Sequence, residues 1–468
     1  MGGLFGVVSK EDCVQDLFYG TDYHSHLGTC RGGLAVWGGN RFTRFIHSIE
    51  NIQFRSRFKD DIQKMSGTMG IGCISDTESQ PLIIRSHLGN YAISTIGKIN
   101  NVRQLVGEAF DRRTTHFTET SGGEVNPTEL VSTLIDQEKT FEDGIRRAQE
   151  AIDGSCSLLL LTTHGLYAAR DRLGRTPLVI GEKNNGDYYC VSLETCAFSN
   201  LEYRFKYELG PGEIVLLTPK GIEQRAAPGD RLRICAFLWV YYGYPASSYE
   251  GMNVEAMRYR SGAALAHNDD VEVDMVAGVP DSGIAYAIGY ANQAQIPYRR
   301  PFVKYTPSWS RSFMPPDQAV RDLVAQMKLI PIHELIQGKR LLFCEDSIVR
   351  GTQLHETVQR LYDYGAREVH VRPACPPLIR TRKFLNFSRS RSELELAGRR
   401  AIHELEGQDD VSLEVYTDPN SEKYRAMVDR IQNHLNLTSL KYQMAPDMIE
   451  AIGLPKERVC TYCWDGAG

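Results

Sequence analysis

The run Leu341-Leu342-Phe343-Cys344-Glu345-Asp346-Ser347-Ile348-Val349-Arg350-Gly351-Thr352 limits the possible architectures more than any other stretch of this chain. Lys339–Cys344 reads as a basic-then-apolar strand, and Glu345–Gly351 as a polar turn. Gln353–Tyr364 carries Leu354, Val358, Leu361 and Tyr362 on one helical face and stops at Gly365, where a left-handed C-cap belongs. Glu368–Arg372 is a further strand. Upstream, the apolar strand Val273–Val276 leads through the turn Val279-Pro280-Asp281-Ser282-Gly283 into the Ala-rich helix Ile284–Gln293. A strand, crossover helix and strand make a βαβ unit and a parallel sheet. Ligands of such sheets bind beyond the carboxyl ends of the strands, where both polar turns fall.

The turn at 345–352 has the chemistry of a phosphate cradle. Backbone N–H groups at a helix start and the hydroxyls of Ser347 and Thr352 suit an anion, and Gly351 allows close approach. No Gly-Lys-Ser/Thr follows, so it is not a Walker loop. Two adjacent carboxylates can hold ribose hydroxyls or a hydrated Mg²⁺. Taken alone, an acidic turn is more often a helix cap; the full string is too specific for that reading.

The first ~225 residues read differently. Strand-like runs at Leu34–Trp37, Leu82–Ser86, Tyr91–Ile96, Ser157–Thr163, Tyr188–Ser192 and Glu213–Leu217 are separated by Gly- and Asn-rich turns. Asn126–Glu138 reads as a helix, and Arg225–Asp230 as a linker. Many strands with few helices predict an α+β domain.

Composition excludes several classes. Among 468 residues the net charge is −5, so no basic excess favours nucleic acid or an anionic membrane. No apolar run approaches the ~18 residues of a membrane helix. The opening Met-Gly-Gly-Leu-Phe-Gly lacks the basic region of a secretory signal. Eleven thinly spread cysteines suit a reducing compartment better than a disulfide framework. A cytoplasmic, multidomain enzyme is expected.

The phosphate-loop run resembles the 5-phosphoribosyl-1-diphosphate loop of type I phosphoribosyltransferases. More narrowly, Asp346-Ser347-Ile348-Val349-Arg350-Gly351-Thr352 is similar to that loop in the amidophosphoribosyltransferase family. The likeness continues through Cys30-Arg31-Gly32, Met69-Gly70-Ile71-Gly72, residues 169–181, Gly210-Pro211-Gly212-Glu213, Cys235 with Val240-Tyr241-Tyr242, Val279–Ser282, Ile296-Pro297-Tyr298 and Phe302-Val303-Lys304. Shared order over two domains is more specific than any one loop.

The resemblance implies an αββα domain of the N-terminal-nucleophile-hydrolase kind over residues 2–228. A type I phosphoribosyltransferase domain with a C-terminal helical extension would follow over 229–468. It implies that Ser347, Ile348, Val349, Arg350, Gly351 and Thr352 bind the 5-phosphate. Glu345 and Asp346 would take the ribose hydroxyls and Mg²⁺, with Glu345 standing where the family has Asp. Asp281, Ser282 and Gly283 would form the diphosphate loop, Ser282 near the metal. Lys304, Arg311 and Lys328 would bring positive charge to the leaving diphosphate. The implied activity is phosphoribosyl transfer to an amine, most simply ammonia, giving 5-phosphoribosylamine for purine biosynthesis by a homo-oligomer. Residues 305–311 depart from the family pattern, which leaves the acceptor open.

The family's glutaminase uses an N-terminal cysteine whose own amine is the base. Here the position is Gly2. The glutamine-binding arginine is replaced by Ser75, the oxyanion segment by Thr95-Ile96-Gly97-Lys98, and the acid that takes the substrate's amino group falls near Pro127. Glutamine hydrolysis is therefore not expected. Some family members hold an iron–sulfur cluster. Cys235, Cys460 and Cys463 match three of its ligands, while the fourth falls near Arg382, with Cys375 a few residues away. Zinc or plain buried thiols are the alternatives. A non-catalytic nucleotide sensor and a transferase with another acceptor stay open as rival functions.

Overall fold

The computed structural model describes residues 2–111, 117–118, 120–121, 124–305, 329–386, 392–408 and 411–468. Alternating apolar residues in the first half build two antiparallel sheets. One has seven strands, with Gly2–Ser9 between Tyr188–Ser192 and Met69–Ser75, and Arg31–Gly38 beyond the latter. The other has six, with Gly154–Leu161 between Leu166–Ala169 and Gly89–Ile99. Their facing sides share one apolar layer that includes Leu4, Val8, Ile71, Ala92, Leu159 and Leu161. Helix Val14–Asp22 packs outside the first sheet, burying Leu17 and Phe18 with Phe5 and Val7. Helices Pro127–Ile135 and Phe141–Ala151 cover the second through Leu130, Leu134 and Ile145. This is the expected αββα arrangement. Alternation makes it work: each strand gives one face to the inter-sheet core and the other to a helix.

The second half holds a four-stranded parallel sheet, ordered Met275–Gly278, Arg340–Glu345, Glu368–Pro373, Ser439–Leu440. Helices Val254–His267 and Ile284–Ala294 lie on one side, with Tyr286 and Tyr290 against Val276 and Leu342. Helices Thr352–Asp363, Ala397–Glu406 and Glu422–His434 lie on the other. Strands buried on both faces read as continuous apolar runs, as Leu341–Cys344 does.

One expectation shifts. Arg225 and Ala226 are not linker but the end of strand Gly221–Ala226, because the hairpin with Ile214–Thr218 continues to Ala226. The spacing of Val320, Leu323, Val324 and Met327 predicts an amphipathic helix over Asp317–Leu329, of which residues 317–328 lie outside the described residues. Leu329 itself begins a short strand paired with Phe302–Lys304. The chain end returns to the junction of the halves: Val459–Cys460 pairs in parallel with Ile234–Cys235, and Trp464 stacks on Phe237 at 4.7 Å.

Candidate active site

The strands Met275–Gly278 and Arg340–Glu345 are hydrogen-bonded neighbours, so the loops at their carboxyl ends are neighbours too. The Val279 amide donates to the Cys344 carbonyl at 3.0 Å and ties the loops together. Gly283 sits so close to this seam that a β-carbon there would lie 2.2 Å from the Cys344 carbonyl oxygen. Only glycine permits that approach. Gly351, at φ +80°, turns the second loop into helix Thr352–Asp363, which has no side-chain cap at that end. Such an uncapped helix start favours an anion.

A cavity of about 540 Å³ opens between the loops. Ser282, Glu345, Asp346 and all of Ser347–Thr352 line it. A second cavity of about 600 Å³ shares Val279, Pro280 and Glu345 with it and adds Lys304. The Ser282 hydroxyl donates to Glu345 Oε1 at 3.4 Å, the Asp346 amide to the same oxygen at 3.1 Å, and the Ser347 hydroxyl to Asp346 Oδ2 at 2.7 Å. Burial, and then the charge of Asp346, push the Glu345 carboxyl well above the usual carboxylate range. Lys304 pairs with Asp281 across the mouth, both partly exposed. Arg350 turns outward to Glu395. Thus Asp281, Ser282, Gly283, Lys304 and residues 345–352 come to one place. Arg311 and Lys328 lie outside the described residues.

Sequence reasoning did not single out Tyr241 and Arg382 as site residues, yet both line the phosphate-loop cavity. They arrive from the junction and from a loop after the last long strand, and no local spacing signals that. The Arg382 carbonyl accepts from Lys98 Nζ at 2.7 Å, which links the cavity wall to the first half.

Gly2, Ser75, Ile96 and Pro127 lie near one another. Gly2 pairs with Ser75 across the sheet, and a β-carbon on Gly2 would lie 3.5 Å from Ile96 Cγ2. Pro127 begins the helix whose Thr128 hydroxyl meets that of Thr95 at 2.7 Å. Gln80, another residue the sequence did not flag, holds Thr95 twice: its Oε1 accepts from the amide at 2.7 Å, and its Nε2 donates to the carbonyl at 3.1 Å.

The structure gives no support to an iron–sulfur cluster. Cys235 and Cys460 are register partners on their short parallel strands, and Cys463, Cys375 and both of these are buried free thiols. Among the described residues no three His, Cys, Asp or Glu side chains are placed to hold a metal. The Arg382 guanidinium, which cannot ligate, sits against Cys463 and lies 4.5 Å from the Phe237 ring and 5.1 Å from that of Tyr242. Burial pushes the Cys463 thiol up to about 12 and raises Cys235, Cys375 and Cys460 as well. The site is a cation–thiol–aromatic knot.

Residues 69–199 match the model of a glutamine amidotransferase domain. The amidophosphoribosyltransferase of Bacillus subtilis is 30% identical over 417 residues, covering 86% of this chain and 85% of that one. The one from Methanocaldococcus jannaschii is 31% identical, covering 81% and 84%. Among solved structures, the glutamine phosphoribosylpyrophosphate amidotransferase of B. subtilis complexed with ADP and GMP superposes with a TM-score of 0.85 at 28% identity, covering 99% of this chain and 96% of that one. No helix among the described residues is long and apolar enough to cross a membrane. With relatives this similar over both halves, the chain belongs to the amidophosphoribosyltransferase family.

Proposed function

We propose that this chain transfers the phosphoribosyl group of 5-phosphoribosyl-1-diphosphate to an amine, as its relatives' name describes, in purine biosynthesis, and that it does not hydrolyse glutamine. The observation that carries the first part is the convergence of Ser282, Glu345, Asp346 and Ser347–Thr352 on one cavity at the carboxyl ends of two adjacent parallel strands. A division between residues 228 and 229, a homo-oligomer and a cytoplasmic setting are parts of the same proposal.

The donor set fits Mg²⁺. Two adjacent carboxylates and a hydroxyl are hard oxygen ligands, and Mg²⁺ is commonly held by one or two carboxylates plus substrate phosphates. Burial and the neighbouring Asp346 charge raise the Glu345 carboxyl, and a cation held there would favour its ionised form. When bound, the metal supplies charge neutralisation on the diphosphate. The chain does the rest. Residues Ser347–Thr352 bind the 5-phosphate at the helix start, and Glu345 and Asp346 orient the ribose hydroxyls. Asp281, Ser282 and Gly283 hold the diphosphate, while Lys304, with Arg311 and Lys328, stabilises its developing charge. The amine attacks C1 as the bond to diphosphate breaks. Positioning and electrostatics carry this chemistry more than acid–base groups do.

The test is direct. Full-length chain, 5-phosphoribosyl-1-diphosphate, Mg²⁺ and ammonium chloride should release diphosphate. Ligand that binds but is never cleaved with any amine overturns the proposal in favour of a sensor.

A further inference from the structure

Next to the phosphate-loop cavity lies a separate one of about 320 Å³ that both halves of the chain line. The two share Tyr241 and Ser282. Asp281 and Ser282 line it, so this second cavity abuts the proposed diphosphate loop. The rings of Tyr241, Tyr242 and Tyr244 give it an aromatic lining, Tyr244 being 48% exposed with its ring 5.2 Å from that of His26. Its volume is about ten times the ~30 Å³ share of a water-sized molecule and lies at the lower edge of small-organic-ligand pockets.

The charges in the wall are unequal. His26 Nε2 meets Glu194 at 2.7 Å while its Nδ1 meets the Tyr23 carbonyl at 3.0 Å. The buried Glu194 carboxylate and the Tyr23 carbonyl therefore already partner the His26 ring. Lys304 is matched by Asp281. Arg258 is not matched. It is 4% exposed, and its guanidinium donates to the carbonyls of Trp239 at 3.0 Å, Tyr241 at 3.2 Å and Gly243 at 3.0 Å. Among the described residues no carboxylate pairs with it. A buried positive charge that faces backbone carbonyls and the Tyr286 hydroxyl, with no carboxylate beside it among the described residues, favours an anion in the cavity it lines.

Resting on the phosphoribosyl-transfer reading above, we propose that this cavity is the acceptor site, and that it takes a planar aromatic primary amine bearing a carboxylate rather than ammonia. The rings would sandwich the body, the carboxylate would face the Arg258 side, and the amine would point past Ser282 to C1. The nitrogen lone pair forms the N–C1 bond as the C1–O bond breaks. The electron pair leaves on diphosphate, and the alkylated nitrogen gives one proton to water.

Diphosphate release from 5-phosphoribosyl-1-diphosphate with Mg²⁺ would be compared for 4-aminobenzoate, aniline and ammonium chloride at equal free-amine concentration. The expected order is 4-aminobenzoate at least tenfold above aniline, and ammonium lowest. Saturation-transfer NMR without 5-phosphoribosyl-1-diphosphate should show 4-aminobenzoate bound to the wild type. Tyr244→Ala, at a half-exposed ring, should weaken that signal and raise the KM for 4-aminobenzoate at least tenfold. Arg258→Lys should narrow the preference for 4-aminobenzoate over aniline. Ammonium turning over as well as 4-aminobenzoate, with Tyr244→Ala unchanged, overturns this inference and leaves phosphoribosyl transfer standing. Bound 4-aminobenzoate with no diphosphate released by any amine overturns the transfer reading instead.

Discussion

Gly2 lies so close to Ile74 on the neighbouring strand that a β-carbon on residue 2 would stand 2.4 Å from the Ile74 carbonyl oxygen. The obstacle is backbone, held by the sheet register Gly2↔Ser75 and Gly3↔Ile74, so it does not yield as a flexible side chain would. Gly2→Cys should therefore lower the melting temperature and produce no glutaminase. Ser75, Ile96 and Pro127 would still lack the glutamine clamp and the oxyanion donor. The readout is glutamate formed from glutamine by the variant. A rate above the wild-type background would show that these positions are wrongly assigned.

Asp346 is 5% exposed and accepts from the Ser347 hydroxyl. Asp346→Asn removes a charge from the proposed ribose and Mg²⁺ contact. Calorimetry with Mg²⁺ should show affinity for 5-phosphoribosyl-1-diphosphate falling about tenfold, or ~1.4 kcal/mol. An acidic cap with no ligand role would instead cost ~1 kcal/mol of stability and leave the affinity alone.

Lys304 pairs with Asp281 at the cavity mouth. If its charge meets the departing diphosphate, Lys304→Ala should keep most of the affinity and lose turnover by about a hundredfold, ~3 kcal/mol. Stopped-flow or initial-rate kinetics beside a binding isotherm separates the two quantities. Equal losses in both would assign Lys304 to ground-state binding.

The β–loop–α core of the site was legible because its signals are local. Apolar runs mark Arg340–Glu345, helical spacing marks Thr352–Asp363, and Gly365 closes the helix at φ +84°. The phosphate loop, Glu345 and Asp346 followed from chain order alone. What brings Lys98 to Arg382, Gln80 to Thr95, or His26 to Glu194 is tertiary, and pairs separated by 15 to 284 residues carry no periodicity. The cysteines left three readings open for the same reason. Cys235, Cys460 and Cys463 have suggestive spacing, but the side chain that settles their chemistry is Arg382, whose position among the rings of Phe237 and Tyr242 only the fold reveals.

Glu208 offers a pH test of the scaffold. Burial, and the nearby charge of Glu250 against the opposing pull of Arg170, push its carboxyl up to about 7, and its Oε1 has no hydrogen-bond partner. A carboxyl whose pKa is raised on folding stabilises the fold below its unfolded pKa, and that contribution is lost as pH rises through the folded value. Wild-type stability should therefore fall between about pH 4.5 and 7 from this group. Glu208→Gln should flatten that slope and equal or exceed the wild type at pH 8, by on the order of 1 kcal/mol. Parallel wild-type and variant melting curves across that range would refute the assignment.

The central claim is a working phosphoribosyl-transfer site beside a glutaminase fold without its chemistry. One assay addresses both parts: diphosphate release from 5-phosphoribosyl-1-diphosphate and Mg²⁺ by the full-length chain, with a free amine, with glutamine, and with neither. The account predicts release that depends on the free amine, with glutamine at the no-acceptor background. Release driven by glutamine, or bound ligand that no amine can cleave, would contradict it.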